Sequence, residues 1–187
     1  MYIIVPKIHN VLFDQDGVLA DLYYRAYKTL KERHPDFILK DRTEQRDHYI
    51  SREYPQYAEE IYAIYKEKGF FRNLPPIEGG IEAILKIAKK HRVALCTSPL
   101  SFSEYCVPEK EAWKEELLGK RIPIFFTGDK TYYRARFIID DNPNMEGDLI
   151  STNPWEHVIF DAPYNQQITD KRRITWKNYE EVLYELL

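Results

Sequence analysis

Cysteine is nearly absent: Cys96 and Cys106 are the only two in 187 residues. Ten positions apart, they match no zinc-ligand spacing and cannot build a disulfide framework. A reducing, cytoplasmic location is the expectation. Cationic excess is missing as well. Lys and Arg number 27 against 30 Asp and Glu, a net charge of −3. A general nucleic-acid binder needs a basic face, so polymeric nucleic acid is not an expected partner. No apolar run approaches the roughly 20 residues of a membrane helix, so no membrane partner is expected. The opening Met1-Tyr2-Ile3-Ile4-Val5-Pro6 is too short for a signal peptide and has no basic start. Internal repeats and low-complexity tracts are also lacking.

What is present is an ordinary globular composition, 44% hydrophobic. The length suits one domain, or one core with a modest insertion. Short apolar runs recur at Val11-Leu12-Phe13, Arg92 to Cys96, Ile122 to Phe126, Arg136 to Asp140 and His157 to Phe160. Each reads as a strand. Pro123 would confine its strand to a sheet edge or a strand start. Helical stripes lie between them. Ile77, Ile81, Ile84, Leu85 and Ala88 form one, closed by Lys89 and Lys90 at the negative end of the dipole. Glu109 to Leu118 form another, with Gly119 as C-cap. Tyr179, Val182, Leu183 and Leu186 form a third. The alternation predicts an α/β fold with a mainly parallel sheet covered on both faces.

Residues 22–75 break this rhythm. Strand-like runs disappear and tyrosines crowd in, at 23, 24, 27, 49, 54, 57, 62 and 65. Ala58, Ile61, Ile64 and Tyr65 recur at helical spacing. The segment reads as a small helical insertion after the first strand, its exit marked by Gly69 and Leu74-Pro75-Pro76. Its tyrosines read most simply as a small core of its own.

Three strands end in chemically loaded residues. The first runs into Asp14-Gln15-Asp16-Gly17, the second into Cys96-Thr97-Ser98-Pro99, the fourth into Asp140-Asp141-Asn142-Pro143. In a parallel sheet these C-terminal ends share one edge, where ligands bind. Carboxylates gathered there need a positive partner, and Mg²⁺ prefers oxygen ligands. Adjacent acids such as Asp140-Asp141 repel unless a cation intervenes. Carboxylates, a hydroxyl pair and Lys130 at one edge suit metal-assisted phosphoryl transfer. Blander readings stand beside this one. Asp-x-Asp-Gly also occurs in surface turns, and Thr97-Ser98 before Pro99 could be a turn. Lys130 alone reads as solvated, and Lys110 in Glu109-Lys110-Glu111 reads equally as a solvated helix face. The histidines are expected to be structural, and Cys96 to be a buried core residue.

In order, Asp14-Gln15-Asp16-Gly17-Val18, Thr97-Ser98, Lys130 and Asp140-Asp141 resemble the four motifs of the haloacid dehalogenase (HAD) superfamily of phosphatases. Asp14 to Asp21, Gly69-Phe70-Phe71, Leu95 to Leu100, Asp129-Lys130-Thr131 and Pro154-Trp155-Glu156-His157-Val158 are similar to its 5'(3')-deoxyribonucleotidase family. The resemblance implies an HAD-like Rossmannoid three-layer sandwich, with residues 1–21 and 76–187 as core and 22–75 as cap. It implies an Mg²⁺-dependent phosphatase acting on (deoxy)nucleoside 5'- or 3'-monophosphates. Asp14 would be the nucleophile and Asp16 the acid and base. Thr97, Ser98, Lys130 and Lys110 would hold the phosphoryl group. The metal would sit on Asp14, the Asp16 carbonyl and the Asp140-Asp141 pair. Strand alternation leaves only one of that pair as a direct ligand, taken here as Asp141, with Asp140 on a water.

By the same resemblance Leu22, Tyr49 and Tyr65 would lie near the nucleobase. Phe70 and Phe71 of the insertion could wall the sugar or could instead be core. The family more often has an aromatic residue where Leu22 stands and Arg where Gly128 stands. A small nucleotide is the expected partner, and a homodimer is compatible with the resemblance. Three alternatives stay open: a phosphatase for another small ester, a non-catalytic nucleotide-binding module, and a polynucleotide 3'-phosphatase. The last would need a basic groove, for which Lys171-Arg172-Arg173 is the one short run, equally explained as a solvated turn.

Overall fold

A computed structural model describes residues 9–152 and 155–184. Met1 to Pro6, Pro154 and Leu186 therefore lie outside the described residues. The strands are β1 (His9–Phe13), β2 (Val93–Thr97), β3 (Ile124–Phe126), β4 (Ala135–Asp140), β5 (Glu156–Phe160) and β6 (Arg173–Ile174). They form one sheet in the order β3-β2-β1-β4-β5-β6, every neighbour parallel. The first five were legible as apolar runs, whereas β6 has two residues and carries no such run. Pro123 precedes β3, and β3 is an edge strand, as a residue without an N–H requires.

The helices are α1 (Leu22–Arg33), α2 (Ile50–Glu53), α3 (Ala58–Tyr65), α4 (Gly80–Ala88), α5 (Cys106–Leu118) and α6 (Tyr179–Tyr184). Alternate strand residues feed two clusters. Val11, Phe13, Leu95, Phe137, Ile139 and Val158 pack with the helices. Leu12, Ala94, Cys96 and Ile138 pack on the other face under Tyr133, Met145 and Trp155 from connecting segments. Burial on both faces explains why these strands are apolar throughout. The result is the expected α/β fold with a parallel sheet covered on both faces, by helices on one and by connecting segments on the other.

One helical stripe needs correction. Helix α4 begins at Gly80 and buries Ala83, Ile84 and Ile87, while Leu85 is exposed. One residue is about 100° of helix, so Leu85 faces away from Ile84. Gly119 ends α5 with φ of 76°, the left-handed region where glycine meets no Cβ penalty. No helix among the described residues is long and apolar enough to cross a membrane.

Residues 22–74 leave and return at one place. Asp21 N–H donates to the Pro75 carbonyl and Ile77 N–H to the Leu19 carbonyl, each at 2.8 Å. Ala20 and Pro76 form an antiparallel bridge between these bonds. Tyr23, Tyr27, Tyr54 and Tyr65 are buried with Ile61, Ile64 and Leu30. Tyr24, Tyr49 and Tyr62 remain exposed, so the tyrosines divide between a core and a surface.

Candidate active site

Asp14 follows β1, its N–H bonded to the Ile139 carbonyl at 2.9 Å. The chain then turns at Gly17, with φ of 75°. A Cβ there would lie 2.2 Å from Asp141 Oδ2. Only glycine allows both this dihedral and this approach. Strand β4 ends at Asp140, so the alternation expected to separate Asp140 from Asp141 has already stopped. Carboxylate oxygens of Asp14, Asp140 and Asp141 lie within 4.8 Å of one another. The Asp16 carboxylate stands outside this trio and faces Lys110.

Both lysines are buried, against the solvated readings. Lys130 Nζ lies 2.6 Å from Asp140 Oδ2 and 3.0 Å from Asp14 Oδ2. Lys110 is 0% exposed. Its Nζ contacts Asp16 Oδ2 at 2.6 Å, Thr97 Oγ1 at 2.8 Å and the Ser98 carbonyl at 3.1 Å. The charged run misleads because α5 is buried at this point. Glu109 is buried too and accepts from the N–H groups of Gly69, Phe71 and Arg72. Glu111 alone of the three is exposed.

A cavity of about 580 Å³ opens between these strand ends and the insertion. Asp14, Asp16, Thr97, Ser98, Lys130 and Asp140 line it, as do Leu22, Tyr49 and Tyr65. Lys110 and Asp141 sit behind this lining. Phe70 and Phe71 do not line it; both are buried and pack on each other and on Tyr65, so neither walls a sugar. Sequence reading missed His48, Arg52, Tyr62 and Phe102, which also line the cavity, as does Asn142 from the loaded end of the fourth strand. His48 is half-buried at this wall. It falls in a non-periodic stretch, where no residue pattern distinguishes it. The basic run Lys171-Arg172-Arg173 lies at the surface, Arg172 exposed, with each residue engaged by a partner. Lys171 meets His157 Nδ1 at 2.8 Å, Arg172 meets Glu156 at 3.0 Å and Arg173 meets Asp161 at 2.8 Å.

Burial dominates the electrostatics. It pushes the Asp14 carboxyl up to about 6, with Lys130 pulling the other way. Burial, reinforced by the charges of Asp140 and Asp14, raises Asp141 well above the usual carboxylate range. Asp140 is equally buried, but Lys130 and then His157 outweigh that cost and hold it low. Burial also pushes the Cys96 thiol up to about 12, which makes it an inert core residue rather than a nucleophile.

Four carboxylates face two ammonium groups, leaving two negative charges without a counterion when all are ionised. Asp141 Oδ1 and Asp16 Oδ1 are buried without a hydrogen-bond partner. An orphaned buried acceptor costs about 1–3 kcal/mol, more when charged. A hard divalent cation would answer the charge deficit and the Asp141 orphan, so the donor set of Asp14, Asp140 and Asp141 fits one.

A family model described as 5' nucleotidase, deoxy (pyrimidine), cytosolic type C protein matches residues 7–186. A Bordetella bronchiseptica relative is 40% identical, covering 92% of this chain and 94% of its own. The mitochondrial 5'(3')-deoxyribonucleotidase of Homo sapiens is 38% identical, covering 85% of this chain and 73% of that one. The human cytosolic type is 33% identical, covering 93% and 92%. Among solved structures, a haloacid dehalogenase-like family hydrolase of Streptococcus pneumoniae superposes with a TM-score of 0.57. It shares 12% identity and covers 98% of this chain and 100% of that one, a likeness of fold.

Proposed function

The chain belongs to the cytosolic type C family of 5' nucleotidases, deoxy (pyrimidine), and on that premise we propose that it hydrolyses deoxynucleoside 5'- and 3'-monophosphates through a phosphorylated Asp14. The observation that carries this reading is the Asp14 carboxylate lining the cavity, with Asp16 two residues on and a buried lysine beside each.

An Asp14 carboxylate oxygen attacks phosphorus, and the ester bond to the sugar oxygen breaks. Asp16 gives that oxygen its proton, and nucleoside leaves. Asp16 then takes a proton from water, whose oxygen attacks phosphorus. The bond to Asp14 breaks, releasing inorganic phosphate and restoring both carboxyl groups. Thr97, Ser98 and Lys130 bind the phosphoryl oxygens. Lys110 already gives its three N–H donors to Asp16, Thr97 and Ser98. An arriving phosphoryl group competes for the donor held by Asp16 and so frees that carboxyl for proton transfer.

Asp14, Asp140, Asp141 and the Asp16 carbonyl would hold a divalent cation, Mg²⁺ by its preference for oxygen. When bound it supplies positive charge against the phosphoryl oxygens. Residues 22–75 act as a cap over a core of 1–21 and 76–187, excluding water from the phosphoenzyme. Leu22, Tyr49 and Tyr65 take the base. A cytoplasmic location fits the two free, buried cysteines.

Phosphate release across the deoxy- and ribonucleoside monophosphates, with and without Mg²⁺, tests the reading. EDTA should abolish turnover, Mg²⁺ should restore it, and Asp14→Asn should be inactive because an amide is a poor nucleophile. A generic phosphomonoester turned over better than every nucleotide would point instead to another small ester as substrate.

A further inference from the structure

Asp141 is held from behind by a segment that none of the steps above uses. After β5 the chain turns through residues 161–168, and Arg173 of β6 clamps the turn. Its guanidinium donates to Asp161 Oδ1 at 2.8 Å, to Asn165 Oδ1 at 2.6 Å and to the Asn165 and Ile168 carbonyls at 2.9 Å each. Asn165 is fully buried. Its amide donates to the backbone carbonyls of Asp141 and Phe160, both at 2.8 Å. The Asp141 backbone is thereby fixed to the end of β5.

The neighbouring Tyr164 reaches the side chain, its hydroxyl donating to Asp141 Oδ2. Tyr23 Oη lies 3.5 Å from the same oxygen, but its shorter bond, 2.8 Å, goes to the His48 carbonyl. Oδ2 is thus engaged and Oδ1 is the oxygen left buried without a partner. Tyr164 differs from Lys130 in one important respect: a neutral hydroxyl orients a carboxylate without bringing a charge that competes with a cation. Its ring packs on Tyr23 and His48, with centroids 5.2 and 5.4 Å away.

We propose that Tyr164 is a positioning residue, whose hydroxyl fixes the Asp141 side chain so that Oδ1 is presented to a divalent cation, and whose ring ties that carboxylate to the helical insertion. This rests on the divalent-cation reading given above. A carboxylate held by one oxygen loses rotamer freedom before the cation arrives, and such outer partners are typically worth about 10–100-fold in metal affinity.

Tyr164→Phe keeps the ring and removes the hydroxyl. Calorimetric titration of Mg²⁺ into metal-free protein should show binding about 10–100-fold weaker than in the native chain. The metal-free melting temperature should hardly change, and at saturating Mg²⁺ the nucleotide KM should be native. Tyr23→Phe, whose lost hydroxyl chiefly serves His48, should weaken Mg²⁺ less. Native affinity in Tyr164→Phe, an equal loss in Tyr23→Phe, or a Tyr164→Phe chain without a cooperative melt would each overturn the assignment and leave the cation reading standing. A native chain that binds no Mg²⁺ would overturn both.

Discussion

At the scale of single residues, the site is a problem of like charges kept close. Asp14 and Asp141 are both raised by burial, Asp14 to about 6. A raised carboxyl pKa means that protons compete with any cation for these oxygens. Above pH 6 the Asp14 proton has left and a cation meets an ionised ligand. Below it, each cation bound must displace at least one proton, and affinity falls by up to tenfold per pH unit per proton displaced. Asp140, held low by Lys130 against its burial, adds no such dependence in this range. His48 and His157 are lowered, burial being the main cause. Mg²⁺ binding followed by calorimetry should therefore weaken by about tenfold or more between pH 7 and pH 5, with proton release on binding. An affinity flat across that interval would mean that Asp14 is not a ligand.

At the scale of elements, what matters is the turn that brings two distant strand ends together. Gly17 has φ of 75° and sits where a Cβ would strike Asp141 Oδ2, whereas Gly119 has φ of 76° and nothing within 4 Å. Alanine at either site incurs backbone strain of about 1 kcal/mol or more. Only at Gly17 must a carboxylate also move. Gly17→Ala should lose the rise in melting temperature that Mg²⁺ gives the native chain. Gly119→Ala should melt lower but keep that rise. Equal Mg²⁺ responses in the two variants would remove Asp141 from the metal site.

This pairing also shows what was legible beforehand. Asp14, Thr97 and Asp140 could be placed together because each ends an apolar run, and parallel strands bring their ends to one edge. Asp16-Gly17 was legible as a turn. Lys110 was ambiguous because burial of one turn of α5 cannot be read from a run of alternating charge. Tyr164, Asn165 and Arg173 were missed because β6 is two residues long and its neighbours are basic. The missed signal is that Ala162-Pro163-Tyr164-Asn165 follows a recognised strand, and so falls on the same edge.

On the scale of the whole molecule, the insertion and the sheet edge enclose the cavity between them, and substrate choice depends on which aromatic faces remain open to it. Tyr65 and Tyr49 both line the cavity, but they are not equivalent. Tyr65 is 7% exposed and packs on Phe70 and Phe71, with centroids 5.2 and 6.5 Å away. Removing its ring would open a hole in the core, and lost activity could not be assigned to the base. Tyr49 is 47% exposed, with the Arg52 guanidinium 4.4 Å from its ring centroid. One face is thus backed by a cation and the ring is held at the cavity wall. Stacking a base on such a ring is worth about 1–3 kcal/mol, hence roughly five-fold to more than a hundred-fold in affinity. A small phosphate ester, which reaches only the strand ends, gains none of this. Tyr49→Ala should lower kcat/KM for thymidine monophosphate by about ten-fold, through KM, and leave p-nitrophenyl phosphate hydrolysis near native. A proportional loss on both substrates would show that Tyr49 supports the site without touching the base. No loss on either would place the base elsewhere along the wall, where Tyr62 and Phe102 meet edge to face at 5.3 Å.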